Sequence, residues 1–149
     1  MEFGRIELGL AWSDYVVLRL LRRWVASRAM AESALPSLID LAAELGEEPE
    51  VAICLHSVFQ LTEGCLGRPL RGECCCSRAM TADERAILAL LAAAPPAGPA
   101  TGSPDMPHGL TAALAWAVTS ARLSLGIADR PADIAFSRCP FEHDSAALA

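Results

Sequence analysis

The sequence is short of the residues from which sheets are built. Only 5% of its 149 residues are Phe, Trp or Tyr, and Val and Ile are few beside alanine and leucine. Branched and aromatic side chains suit a pleated strand, whereas Ala and Leu lose little on entering a helix. The expected class is therefore all-α. Lysine is missing altogether, since all 12 basic residues are arginine. With so much alanine beside it, this bias points to GC-rich coding more than to a function. Acidic residues outnumber basic ones by 18 to 12, for a formal charge of -6. Such a chain is a poor general binder of nucleic acid, where affinity rests on neutralising phosphates.

A long apolar run is also missing. The longest weakly charged stretch, Gly109 to Ala128, is interrupted by Arg122 and diluted by Thr111, Thr119, Ser120 and Ser124. A bilayer demands about 20 predominantly apolar residues, so this stretch reads as a buried helix and not as a membrane span. Met1 to Tyr15 carries three acids and no sustained apolar core, which is unlike a secretory leader. A cytoplasmic chain is expected, with its six cysteines as thiols or metal ligands and not as a disulfide framework. Fingerprints of catalysis are missing as well: there is no G-x-G-x-x-G, P-loop, G-x-S-x-G or H-E-x-x-H pattern.

What is present organises into five helical segments. Val17, Leu20, Leu21, Trp24 and Val25 recur at helical spacing between Ser13 and Met30, with Ser13 as expected N-cap. Arg19, Arg22, Arg23 and Arg28 make this helix basic and are expected on its solvated side. Leu38, Leu41, Ala42 and Leu45 define a second helix from Leu35 to Leu45, stopped by Gly46. A third starts at Pro49 and reaches Cys65, with Val51, Cys54, Leu55, Val58, Thr62 and Cys65 as its stripe. From Gly64 to Arg78 glycine and proline break the pattern, which puts Cys74, Cys75 and Cys76 in a loop. Thr81-Ala82-Asp83-Glu84 is a capping-box sequence opening a fourth helix through Ala94. Five prolines and two glycines make 95–107 a linker. The fifth helix, Gly109 to Leu125, has Leu110, Leu114, Ala117, Val118, Ala121 and Leu125 on one face, with Trp116 and Leu123 off it. An irregular tail, 127–149, completes what reads as one compact bundle of about five helices. The final helix could not bury itself alone.

Chemistry concentrates in the cysteines. Cys54 and Cys65 fall on an apolar stripe, where free cysteine packs as a small hydrophobe. Three thiols in succession at 74–76 are not needed for packing, and Arg71 and Arg78 flank them in a way that favours thiolate. Cys139 and His143 stand as C-x3-H. Cys74, Cys76, Cys139 and His143 together would satisfy a tetrahedral zinc, although no C-x2-C pair specifies one. His56, Gln60 and Glu63 share one face of the third helix. The choice there lies between a polar stripe in solvent and an acid–base or metal pair. A helix-turn-helix reading of the second and third helices fails, because Glu47, Glu48 and Glu50 would meet phosphate first.

Two functions follow as expectations. One is a helical module that binds a protein partner or a second copy of itself through Trp116 and Leu123, since an apolar helix with two covered sides suits a shared interface. The other is a metal- or thiol-sensing protein that uses the Cys74–Cys76 cluster with Cys139 and His143.

Overall fold

In the computed structural model, residues 9–92 and 110–127 are described. All regular structure among them is helical: α1 Trp12–Ala29, α2 Ala34–Glu44, α3 Pro49–Leu66, α4 Ala82–Ala92 and α5 Leu110–Ser124. No described helix is long and apolar enough to cross a membrane. The 95–107 linker and nearly all of the 127–149 tail lie outside the described residues.

The helices form where the sequence spacing puts them, with differences at their ends. Ala11 is the N-cap of α1 and makes no side-chain cap, the Tyr15 N–H donating to the Ala11 carbonyl at 3.0 Å, so Ser13 lies inside the first turn. Asp14 in the first turn and Arg28 in the last complement the helix dipole. α2 is followed by Gly46 at φ 78°, a left-handed conformation that a side chain would resist. α3 has Glu48 at its N-cap and Pro49 directly after it, where the missing N–H costs nothing. It ends at Gly67, φ 65°, whose N–H returns to the Glu63 carbonyl.

α3 is the axis of the core. It packs most extensively against α5, and also against α2 and α1. Covered on more than one side, it buries Val51, Ala52, Leu55, Val58 and Phe59. This face is displaced from the expected stripe: Phe59 is fully buried, while Cys54, Thr62 and Cys65 are only half-buried. Leu20 and Leu21 of α1, Leu38 of α2 and Val118 and Ala121 of α5 close the same cluster. Each fully buried Leu or Phe side chain contributes about 1.5 to 3 kcal/mol by leaving water. α4 is held to α5 partly by Arg122, which donates to the carbonyls of Leu91 and Ala92 at its C-terminal end.

One polar residue is set inside this apolar frame. The basic face expected of α1 is divided, because Arg22 points inward and is 4% exposed, against a fully buried Glu84 on α4. Arg22 Nε donates to Glu84 Oε1 at 2.8 Å, and one terminal nitrogen approaches Glu84 Oε2 at 3.4 Å. The remaining donors go to the carbonyls of Cys74 at 3.1 Å, Ser77 at 2.7 Å and Ala79 at 2.7 Å. All five guanidinium N–H groups thus have an acceptor, and no buried side-chain N or O atom among the described residues lacks a partner. Leaving either partner alone in this dry place costs far more than a surface pair would. Arg22→Met is therefore expected to lower the unfolding free energy in urea by about 3 to 5 kcal/mol. Adding Glu84→Leu should recover part of that loss. A single variant as stable as the parent would show that the pair does not constrain the fold.

Candidate functional site

The loop from Gly67 to Thr81 is built from both ends by hydrogen bonds to α4. Thr81 and Glu84 form the reciprocal box that their spacing predicts: Glu84 N–H donates to Thr81 Oγ1 at 3.0 Å, and Thr81 N–H to Glu84 Oε2 at 2.8 Å. Glu84 also accepts from the Glu73 N–H at 3.0 Å, and Thr81 Oγ1 donates to the Arg71 carbonyl at 2.8 Å. The neighbouring Asp83 accepts two bonds from Arg68, at 2.7 and 2.9 Å, and one from the Arg71 N–H at 2.9 Å. These bonds fix the loop on α4, and Arg22 ties it to α1. At Gly72 a Cβ would stand 3.3 Å from Val25 Cγ2 and 3.4 Å from Glu84 Oε1, so only glycine passes there without displacing a neighbour.

On this footing sits the triple cysteine. Ser77 N–H donates to the Cys74 carbonyl at 3.0 Å, closing a turn with Cys75 and Cys76 at its tip. All three cysteines are exposed and free. Cys74 Sγ and Cys76 Sγ lie 3.3 Å apart. With Cys76 as donor, this contact is the leading cause that holds the Cys74 thiol below its ordinary range, helped by backbone N–H groups at 76 and 77 and opposed by Glu73. The same bond pushes Cys76 up, reinforced by the nearby sulfurs of Cys74 and Cys75. Activation thus comes first from a sulfur neighbour, whereas the sequence directs attention to Arg71 and Arg78.

The other expected sites resolve differently. Cys54 packs against the core, and Cys65 is half-buried, its thiol pushed up by burial. Cys139 and His143 lie outside the described residues. Among the described residues, no group of three or more His, Cys, Asp or Glu side chains is arranged to hold a metal. The His56, Gln60, Glu63 stripe does not simply face solvent. Glu63 accepts from Trp24 Nε1 at 3.1 Å and from the Leu70 N–H at 2.9 Å, and it pairs with Arg28. His56 meets the Trp24 ring edge-to-face at 5.1 Å, and burial pushes its pKa down. Only Gln60 is exposed. This face ties α3 to α1 and to the loop, and its carboxylate is already committed.

On α5, Ala117, Val118 and Ala121 are buried, Leu123 is half-buried and Trp116 is 47% exposed. Trp12 donates through Nε1 to Glu47 Oε1 at 2.6 Å.

The chain matches no known protein family, no curated protein and no solved structure.

The loop's outer anchor has a pH signature. The bidentate bond from Arg68 holds the Asp83 carboxyl down from 3.8 to about 2. A depressed carboxylate contributes stability above its unfolded value and loses it as pH falls through the folded value. The thermal stability of the parent should therefore fall between about pH 4 and pH 2, and Asp83→Asn should flatten that part of the decline. Parallel profiles for the two proteins would count against the anchor.

Proposed function

We propose that this chain is a thiol-sensing protein whose responsive element is the Cys74–Cys76 turn. The observation that carries the reading is the 3.3 Å separation of two exposed, free sulfurs. Packing does not account for them, because the turn is gripped through its carbonyls and its thiols stand in solvent. The thiolate is the reactive form of cysteine, and Cys74 is the member of the pair favoured as thiolate.

With a hydroperoxide as oxidant, the Cys74 thiolate attacks the terminal oxygen and the O–O bond breaks. The departing oxygen takes a proton, and Cys74 is left as a sulfenic acid. Cys76 sulfur then displaces the hydroxyl from Cys74 sulfur, releasing water and forming the Cys74–Cys76 disulfide. The two thiols lose two protons and two electrons, and the hydroperoxide takes them up as its O–O bond breaks. The sulfurs need to close from 3.3 Å to a bond of about 2.0 Å. A reducing thiol restores the pair by exchange.

The same two sulfurs are the donors that a zinc ion would take from this loop, with Cys139 and His143 completing its shell. One preparation distinguishes these outcomes. Reduced full-length chain, purified without tag or chelator, is analysed for metal and then treated with hydrogen peroxide. The thiol reading expects loss of two hydrogens mapped to Cys74 and Cys76, with Cys54 and Cys65 unmodified. Cys76→Ser should stop at a sulfenic acid that a carbon nucleophile traps. Oxidation spread evenly over the cysteines defeats the reading. About one zinc per chain with the turn protected from oxidant would replace it by the metal site.

A second reading rests on α5. Trp116 is a large aromatic residue 47% exposed on a helix whose other side is core, and tryptophan is enriched at the energetic centre of interfaces. The partner would be a protein or a second copy of the chain. Trp116→Ala is expected to weaken self-association at least tenfold in sedimentation, the size of a central aromatic anchor. An unchanged sedimentation profile removes the self-association form of this reading.

A further inference from the structure

Beside the cysteine turn runs a groove of about 550 Å³, bounded by α1, the start of α2 and the loop after α3. Cys74 and Cys75 line it, together with Arg19, Arg23, Glu32 and Glu73. Arg22 also reaches it, but its charge is matched by Glu84. Arg19 and Arg23 are in a different state. Arg19 donates to the Tyr15 hydroxyl at 2.7 Å and Arg23 to Ser37 Oγ at 3.3 Å. Among the described residues neither forms an ion pair with a carboxylate. Two arginines with no ion pair among the described residues therefore line the same groove as Cys74, and guanidinium matches carboxylate in both charge and shape. Glu32 and Glu73 give the same groove a place for an ammonium group.

Resting on the thiol-sensing reading, we infer that this groove selects the oxidant: a small disulfide whose halves carry carboxylate and ammonium groups. Carboxylates bind Arg19 and Arg23, and the ammonium faces Glu32 or Glu73. The Cys74 thiolate attacks one sulfur of the bound disulfide. That S–S bond breaks, one half leaves as a thiolate and takes a proton from water, and the other half stays on Cys74 as a mixed disulfide. Cys76, 3.3 Å away, then attacks Cys74 sulfur and expels the second half as a thiol. The ligand is reduced to two thiols as the protein dithiol becomes a disulfide. Cys76 is not among the residues that line the groove.

The charge of the whole chain works against such a ligand. At -6 the chain repels anions at long range, so a preference for an acidic disulfide has to arise locally. The test uses reduced full-length chain and three probes: glutathione disulfide, neutral bis(2-hydroxyethyl) disulfide and cationic cystamine. Rates of mixed-disulfide formation are read by intact mass and normalised to those of 2-mercaptoethanol with the same probes. Glutathione disulfide is expected to react about tenfold faster than the neutral probe, and faster than cystamine, which has no carboxylate for Arg19 and Arg23. Added salt should erase that order. In Arg19→Ala/Arg23→Ala the acidic-to-neutral ratio should fall to about one. If that variant fails to fold, the salt series on the parent still decides. Equal normalised rates for all three probes overturn the inference and leave the thiol reading standing. No reaction with any of the three probes also overturns the inference, and the thiol reading is then decided by the peroxide experiment.

Discussion

The guanidinium of Arg22 is the constraint through which helix and loop are joined. It sits where water does not reach, so its five donors must all be met within the protein. Two of the acceptors are Glu84 oxygens and the rest are loop carbonyls. Glu84 is simultaneously the reciprocal partner of Thr81 at the start of α4. One carboxylate therefore fixes where α4 begins, how α4 sits on α1 and how the loop from Glu73 to Ala79 is folded. A hydrophobic pair of the same volume would recover part of the ion pair's stability, because burying two charges costs much of what their attraction returns. No apolar pair, however, could bind three carbonyls in defined positions. What the ion pair adds is a specified backbone.

The rest of the molecule separates two tasks. Stability comes mainly from the apolar cluster around α3, where Phe59, Leu55 and Val58 are inaccessible to solvent. Shape at one end comes from the polar bonds of Arg22, Glu84, Asp83 and Glu63. The cysteines divide along the same line. Cys54 belongs to the packed side, while Cys74, Cys75 and Cys76 stand on the shaped loop and stabilise nothing by burial.

Much of this was legible in the residues. The five helices follow from alanine, leucine and their spacing, and the box at Thr81–Glu84 is a local signal because both of its bonds span three residues. The break that holds the triple cysteine is equally local. Arg22 was not legible, since it stands between Leu21 and Arg23 in a run that looks solvated, and its partner lies 62 residues away. Glu63 stood out only as part of a stripe with His56 and Gln60, and its role as acceptor was not legible because it is set by Trp24, Arg28 and the Leu70 N–H. Phe59 was missed because a helix covered on two sides has a wider apolar face than a single stripe describes. The closeness of the two sulfurs depends on the turn that Ser77 closes, which composition alone does not specify.

Arg22 holds the turn by main-chain oxygens, and those oxygens are common to every amino acid. The side chains at 74, 75 and 76 are therefore decoupled from the scaffold beneath them. The turn behaves as a cassette: its chemistry can be rewritten, residue by residue, without renegotiating the fold. In such an arrangement new reactivity and foldability are separate problems, and at the tip of this loop a change of side chain leaves the bonds beneath it in place.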